Sequence, residues 1–285
     1  MENRIVLITG ATSGIGKETA RALVQKGFQV IVVGRNQAKL ERTVRELEGI
    51  SQDASVVALV CDLSSQESIR QFSQDVHAKY DHIDVLINNA GLIIAPRQTT
   101  VDGLEYTFAL NHLGYFLLTG LLLDLLKTGI SGRIINVSSR AHQGGHIHFD
   151  DLMLEKSYSA MKAYSQSKLA NVLFTYELGR KLKGTGITVN CLHPGAVRSN
   201  FGMELPGLMK VIMLIARPFL ISSRKGAITP IYLASSPEVE DVTGKYFVKK
   251  HVVQSSPESY DEDIARRLWE VSEELTHFKY PNNKD

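Results

Sequence analysis

Cysteine, tryptophan and proline are scarce: two, one and eight residues in a chain of 285. Two cysteines cannot make a disulfide scaffold. Cys61 and Cys191 each sit inside an apolar run and read as buried strand thiols in a reducing compartment. Charge of one sign is missing too. Thirty-two Lys and Arg stand against 30 Asp and Glu, for a net +2. No basic block appears, so no nucleic-acid partner is expected. No targeting leader precedes the first β-branched run near residue 4, and a cytoplasmic location is expected. Long uninterrupted apolar runs are also lacking. Residues 104–126 carry Glu105, Asn111, His112 and Asp124, which argue against a span in lipid. Residues 207–221 are too short to span and carry Lys210 and Arg217. This second stretch is expected to be a buried or substrate-covering helix. Its alternative is a surface that dips into a membrane interface, a peripheral contact.

What is present is a regular alternation of strand and helix. Short β-branched runs lie at 4–9, 28–34, 55–61, 83–88, 133–138 and 187–192. Helical periods lie between them at about 14–27, 36–48, 65–80, 100–127 and 159–183. Near-continuous apolar strands imply a sheet covered on both faces, hence parallel strands. The predicted fold class is α/β, a doubly wound parallel sheet (Rossmann-like) in a single domain over 1–285. A last strand fits 244–248. A C-terminal amphipathic helix fits about 260–276, anchored by Leu268, Trp269 and Leu275, and the tail after Phe278 reads as frayed.

The first strand leads into Thr9-Gly10-Ala11-Thr12-Ser13-Gly14-Ile15-Gly16. Glycines there allow a tight turn, close backbone approach to a phosphate and close helix–strand packing. The helix that follows offers unpaired N–H groups and a positive dipole end to a pyrophosphate. The second strand ends Val33-Gly34-Arg35-Asn36, with no acid to hold a ribose 2′-hydroxyl. Gly34 leaves room and the Arg35 fork suits a phosphate, so NADP(H) is the expected cofactor. Otherwise Arg35 is a solvated helix-start residue. Asp62, before Leu63, is placed to accept from an adenine amino group, or to cap the next helix with Ser64. Asn88-Asn89-Ala90-Gly91 follows the fourth strand; backbone there can lie against a ribose and the amides can tie neighbouring strands. Turn chemistry alone would also produce such a loop.

Two Tyr-x-x-x-Lys runs overlap, Tyr158 to Lys162 and Tyr164 to Lys168. Residues four apart on a helix share a face, so phenol and ammonium can meet one substrate atom. A cation beside a phenol favours the phenolate and moves it toward neutrality from about 10. Either run alone arises readily by chance. The glycine loop, Asn88-Asn89-Ala90-Gly91, Asn111, Ser139, Tyr164-x-x-x-Lys168 and Pro194-Gly195 appear in one order, over nearly the whole chain. That set resembles the short-chain dehydrogenase/reductase family. The segments NHLGYFLLT (111–119), RIINVSSRAH (133–142), YSQSKLANVLF (164–174) and HPGAVRS (193–199) make it most similar to the retinol dehydrogenase branch.

The resemblance implies roles. Tyr164 is the general acid/base, Lys168 lowers its pKa and holds the nicotinamide ribose, and Ser139 donates to the substrate oxygen. Asn111 supports a water relay. Pro194, Gly195 and Val197 bound the nicotinamide end. It selects Tyr164 over Tyr158, and Ser139 over Ser138, since successive strand residues point opposite ways. The loop from His142 to Ser157 holds His142, His146, His148, Asp150 and Asp151, and reads as a polar pocket-mouth loop rather than a metal site. The apolar segment 198–222 is expected to be a lid over a lipophilic aldehyde, ketone or alcohol, retinal-like among others; otherwise it is core. The helices at 100–127 and 159–183 match those through which family members form a homodimer, or are buried within one chain. The alternative function is a catalytically silent dinucleotide-binding protein of the same fold.

Overall fold

The computed structural model describes residues 4–51, 53–129, 131–197 and 220–281. One sheet organises them, in the order β3-β2-β1-β4-β5-β6-β7-β8. Its strands are β1 (Ile5–Thr9), β2 (Gln29–Gly34), β3 (Val56–Val60), β4 (Val85–Asn88), β5 (Arg133–Val137), β6 (Thr188–His193), β7 (Lys245–Val248) and β8 (His251–Val252). The first seven pair in parallel; β8 turns back antiparallel on β7, a short edge not foreseen from the sequence.

The central strands are largely apolar because both faces are covered. Ile5, Leu7, Ile31, Val33, Leu86 and Ile134 face one core, and Val6, Ile8, Val30, Val32, Ile87 and Ile135 face the other. Each such side chain contributes about 1.5–3 kcal/mol. The second core is closed by α1 (Gly14–Gln25) and α2 (Gln37–Glu48), through Leu23, Val24, Leu40 and Leu47. The first is closed by α3 (Gln66–His77) through Ile69, Phe72 and Val76.

The helix expected over 100–127 is instead built in pieces. Gly103 takes φ +78° and turns the chain, and the Glu105 carboxylate caps the next turn by accepting from the Thr107 and Phe108 amides. From there run α4 (Tyr106–Phe108), a π-helical turn (Ala109–Leu113), α5 (Gly114–Leu121) and α6 (Leu123–Thr128). The helix α7 (Ala160–Lys181) matches its expected span to within two residues, with Ser159 as its cap. After residue 222 come α8 (Ser223–Gly226) and α9 (Ile228–Ser235), which periodicity had not shown. Residues 198–219 lie outside the described residues, so the lid expectation falls there.

The last helix, α10 (Glu262–Thr276), lies on α7 and α5. Trp269 and Tyr280 pack edge-on against Phe116 at 5.0 and 4.9 Å, and Phe278 lies over Gly120. The Tyr280 hydroxyl donates to the Phe116 carbonyl at 2.7 Å. The tail is therefore docked through Tyr280, not frayed after Phe278. The outer faces of α5 and α7 are buried within one chain, the second of the two readings left open for these helices. No helix among the described residues is long and apolar enough to cross a membrane.

Candidate active site

The strand order reverses between the parallel neighbours β1 and β4, whose C-terminal ends flank the switch point, the usual ligand site of such a sheet. Gly10 and Gly14 both take positive φ, 65° and 57°. Gly16 allows the closest approach. A Cβ there would lie 2.5 Å from Asn89 Nδ2 and from the Gly10 carbonyl. Ser13 precedes α1 without a side-chain cap, whereas Asn36, Ser65 and Ser159 cap α2, α3 and α7. The first turn of α1 thus keeps its N–H groups for a ligand, beside the Thr12-Ser13 loop and Ile15.

Arg35 lies at the end of β2, exposed, and donates from Nη1 to the Tyr106 hydroxyl at 2.9 Å. Asn36 spends its side-chain oxygen on the Lys39 amide. Asp62 accepts from the Ser64 amide and hydroxyl at 2.9 and 2.6 Å, just ahead of Leu63's neighbour in the turn. Ser65, not Asp62 with Ser64, caps α3. At the end of β4, Asn88 donates to Asn136 on β5, and Asn89, just beyond, donates to the Thr9 carbonyl on β1. The Thr9 hydroxyl accepts from the Asn89 and Ala90 amides, a fastening that sequence reasoning did not notice.

Asn111 sits in the π-helical turn and is fully buried. Its Oδ1 accepts from the Leu92 amide and its Nδ2 donates to the Leu92 carbonyl and to Ser167 Oγ. Ser167 donates in turn to the Tyr164 carbonyl. The Ser139 hydroxyl lies beside the Tyr164 phenol, near enough to favour its ionised form. Ser138 faces away, donating to the Lys168 carbonyl at 2.8 Å. Lys168 donates to the Val137 carbonyl at 2.9 Å, with its Nζ 5.7 Å from the Tyr164 ring. Gly91 leaves room for it: a Cβ there would come within 3.2 Å of Nζ. Asn111, Ser139, Tyr164 and Lys168 are thus brought together from the π turn, the turn after β5 and α7.

Tyr158 lies elsewhere, before the start of α7, with its hydroxyl on the Ile94 carbonyl, so the pair with Lys162 is not on one helix. Pro194, Gly195 and Val197 follow β6; Gly195 has φ +96° against Ile221, and Val197 bridges to Ile221. His142 is buried, not at a pocket mouth. Its Nδ1 contacts the Ser139 carbonyl at 2.6 Å and its Nε2 accepts from the Ser256 amide, which fixes the turn after Ser139. His146 pairs with Glu258.

The electrostatics differ from the sequence expectation. Burial pushes the Tyr164 phenol up to about 12, against the lowering effect of Ser139. Burial holds Lys168 down to about 7. Desolvation of both groups therefore outweighs their mutual attraction when the site contains protein alone.

A family model described as short chain dehydrogenase matches residues 4–207. The chain belongs to that family and is an alcohol/carbonyl oxidoreductase by class. Within it, the chain is most similar to retinol dehydrogenases. Human retinol dehydrogenase 14 is 45% identical over 289 residues, covering 96% of this chain and 86% of the relative. Human retinol dehydrogenase 13 is 43% identical, over 99% and 87%. An uncharacterized protein from Mycobacterium paratuberculosis has the same fold, with a TM-score of 0.80, 34% identity, and coverage of 98% and 95%. A short chain dehydrogenase from Shigella flexneri complexed with NADP shares the fold alone, at 23% identity and TM-score 0.68 over 88% and 98%.

Proposed function

We propose that the chain is an NADP(H)-dependent oxidoreductase that interconverts a lipophilic aldehyde or ketone and its alcohol, with Tyr164 as general acid/base. The observation that carries this is the gathering of Ser139, Tyr164, Lys168 and Asn111 at the C-terminal end of β4 to β6, beside a glycine cradle. The residues present suit a dinucleotide: Gly10 and Gly14 take positive φ and no side chain caps α1, so its first N–H groups are left for a pyrophosphate. The loop of Gly10, Thr12, Ser13, Gly14, Ile15 and Gly16 would hold the pyrophosphate. Arg35 and Asn36 would hold the 2′-phosphate, Asp62 and Leu63 the adenine, and Asn89, Ala90 and Gly91 the adenine ribose. Tyr164 and Lys168 would hold the nicotinamide ribose, and Pro194, Gly195 and Val197 its ring. The bound cofactor supplies the hydride.

During reduction the carbonyl oxygen gains negative charge, and the donors already fixed beside Tyr164 stabilise it. Ser139 donates to that oxygen and Tyr164 delivers its proton. A phenol near 12 holds that proton until the oxygen becomes basic enough to take it. Protonated Lys168 then stabilises the phenolate. Both amide hydrogens of Asn111 are engaged, so its part in proton return runs through the remaining lone pair of Oδ1 and through Ser167.

Lipophilic substrates follow from the apolar residues of 198–222 and from relatives named for retinol. Those residues are also the proposed peripheral membrane contact of a protein working in the reducing, NADPH-rich cytoplasm. The homodimer would need a face other than α5 and α7, which α10 covers. The silent dinucleotide-binding reading finds no support in relatives that are named dehydrogenases. Oxidation of NADPH against a broad carbonyl panel, with NADH as control, tests the proposal. Tyr164→Phe should lose at least about a hundredfold in turnover; normal turnover in that variant would refute it.

A further inference from the structure

We propose that Tyr106 is a positioning residue that holds Arg35 for a 2′-phosphate and so sets the dinucleotide preference. The inference rests on the NADP(H) reading of the site and deepens it.

Arg35 and Tyr106 are 71 residues apart in sequence, yet Arg35 Nη1 donates to the Tyr106 oxygen at 2.9 Å. Ser64 reaches the same oxygen at 3.2 Å while donating to Asp62 Oδ1 at 2.6 Å. Guanidinium, phenol, hydroxyl and carboxylate thus form one chain across the ends of β2 and β3 and the start of α4. These elements surround the adenosine end of the crevice. An exposed arginine otherwise wanders among rotamers and loses that freedom when it binds. A bond to one terminal nitrogen fixes the fork and leaves its other N–H groups for phosphate oxygens.

The phenol is itself held in place. Glu105 caps α4 through the Thr107 and Phe108 amides, so the backbone on either side of Tyr106 is pinned. Asp62 at the far end balances the guanidinium charge when no phosphate is bound. Binding of a 2′-phosphate replaces a weak, relayed partner with a strong one and needs no rearrangement of the protein.

The test uses the full chain and four proteins: wild type, Tyr106→Phe, Ser64→Ala and Arg35→Ala. Affinities for 2′,5′-ADP and 5′-AMP are measured by calorimetry, and kcat and KM for NADPH and NADH by steady-state assay. Tyr106→Phe keeps the ring and should weaken 2′,5′-ADP by about five- to tenfold relative to 5′-AMP. The loss should fall on KM for NADPH and leave kcat nearly unchanged. Ser64→Ala should act in the same direction by about two- to threefold. Melting temperatures of both variants within a few degrees of wild type establish that the fold is kept, and Ser64→Ala carries the test where Tyr106→Phe fails to fold.

Two results would overturn the inference. One is full 2′,5′-ADP affinity in Tyr106→Phe while Arg35→Ala loses it, which removes Tyr106 alone. The other is a wild type that binds the two nucleotides equally and is unmoved by Arg35→Ala. That outcome removes the NADP(H) reading and this inference with it. Equal loss of both nucleotides in Tyr106→Phe would make Tyr106 a general wall of the site and also overturn the proposal.

Discussion

Replacing Lys168 with methionine keeps the apolar stem and removes a cation that is only 3% exposed. Burial lowers this lysine from 10.5 to about 7. Between those values the unfolded chain holds the proton and the folded chain does not, so stability rises with pH across that window. The destabilisation by Lys168 is therefore fullest below pH 7 and fades as pH approaches 10.5. The two values translate into about 4 kcal/mol at pH 7 and about 2 kcal/mol at pH 9. Against this, the methionine variant loses the 2.9 Å bond to the Val137 carbonyl, at a cost of about 1–2 kcal/mol. Without cofactor, Lys168→Met should then be more stable than wild type by about 2–3 kcal/mol at pH 7 and nearly equal to it at pH 9. Urea unfolding of both proteins at pH 6, 7, 8 and 9 measures the difference at each pH. A difference that stays flat from pH 7 to 9, or a variant less stable than wild type at pH 7, would refute the reasoning. The physical content is that burial disfavours the charged form of Lys168 at the centre of the site.

Two further outcomes follow from packing. Gly16→Ala places a methyl 2.5 Å from both Asn89 Nδ2 and the Gly10 carbonyl; titration should show dinucleotide affinity reduced at least about tenfold, with a stability loss of about 1–3 kcal/mol. Trp269→Ala removes the ring wedged against Phe116 and Tyr280. Urea unfolding should show a loss of about 3–5 kcal/mol, and sedimentation should show self-association beyond that of wild type.

The seven parallel strands were legible because burial on both faces writes each one as an apolar run, as in Ile5 to Thr9. The candidate site was legible where chemistry demands particular residues at particular spacings, as for Tyr164 and Lys168 or for the glycines after β1. It was not legible where side chains meet through the fold. Nothing near Arg35 in sequence points to Tyr106, and nothing near Ser139 points to Ser256 beyond His142. Helix period also fails where the backbone departs from 3.6 residues per turn. The π-helical turn at Ala109–Leu113 shifts the register by one residue and turns Asn111 inward to Leu92. Burial explains the remaining difference. The phenol–ammonium pair was expected to favour the phenolate, but removal of water raises Tyr164 and lowers Lys168.

The docking of α10, Phe278 and Tyr280 onto Phe116 has a consequence for synthesis. Chains emerge from N-terminus to C-terminus at about 5–20 residues per second. By the time Val248 of β7 has emerged, every parallel strand exists, yet the faces of α5 and α7 still lack their cover. A nascent chain at that stage is an almost complete enzyme with a bare aromatic and leucine-rich flank. Its need for chaperones, and its sensitivity to stalled translation, should concentrate in the interval before residues 262–280 arrive.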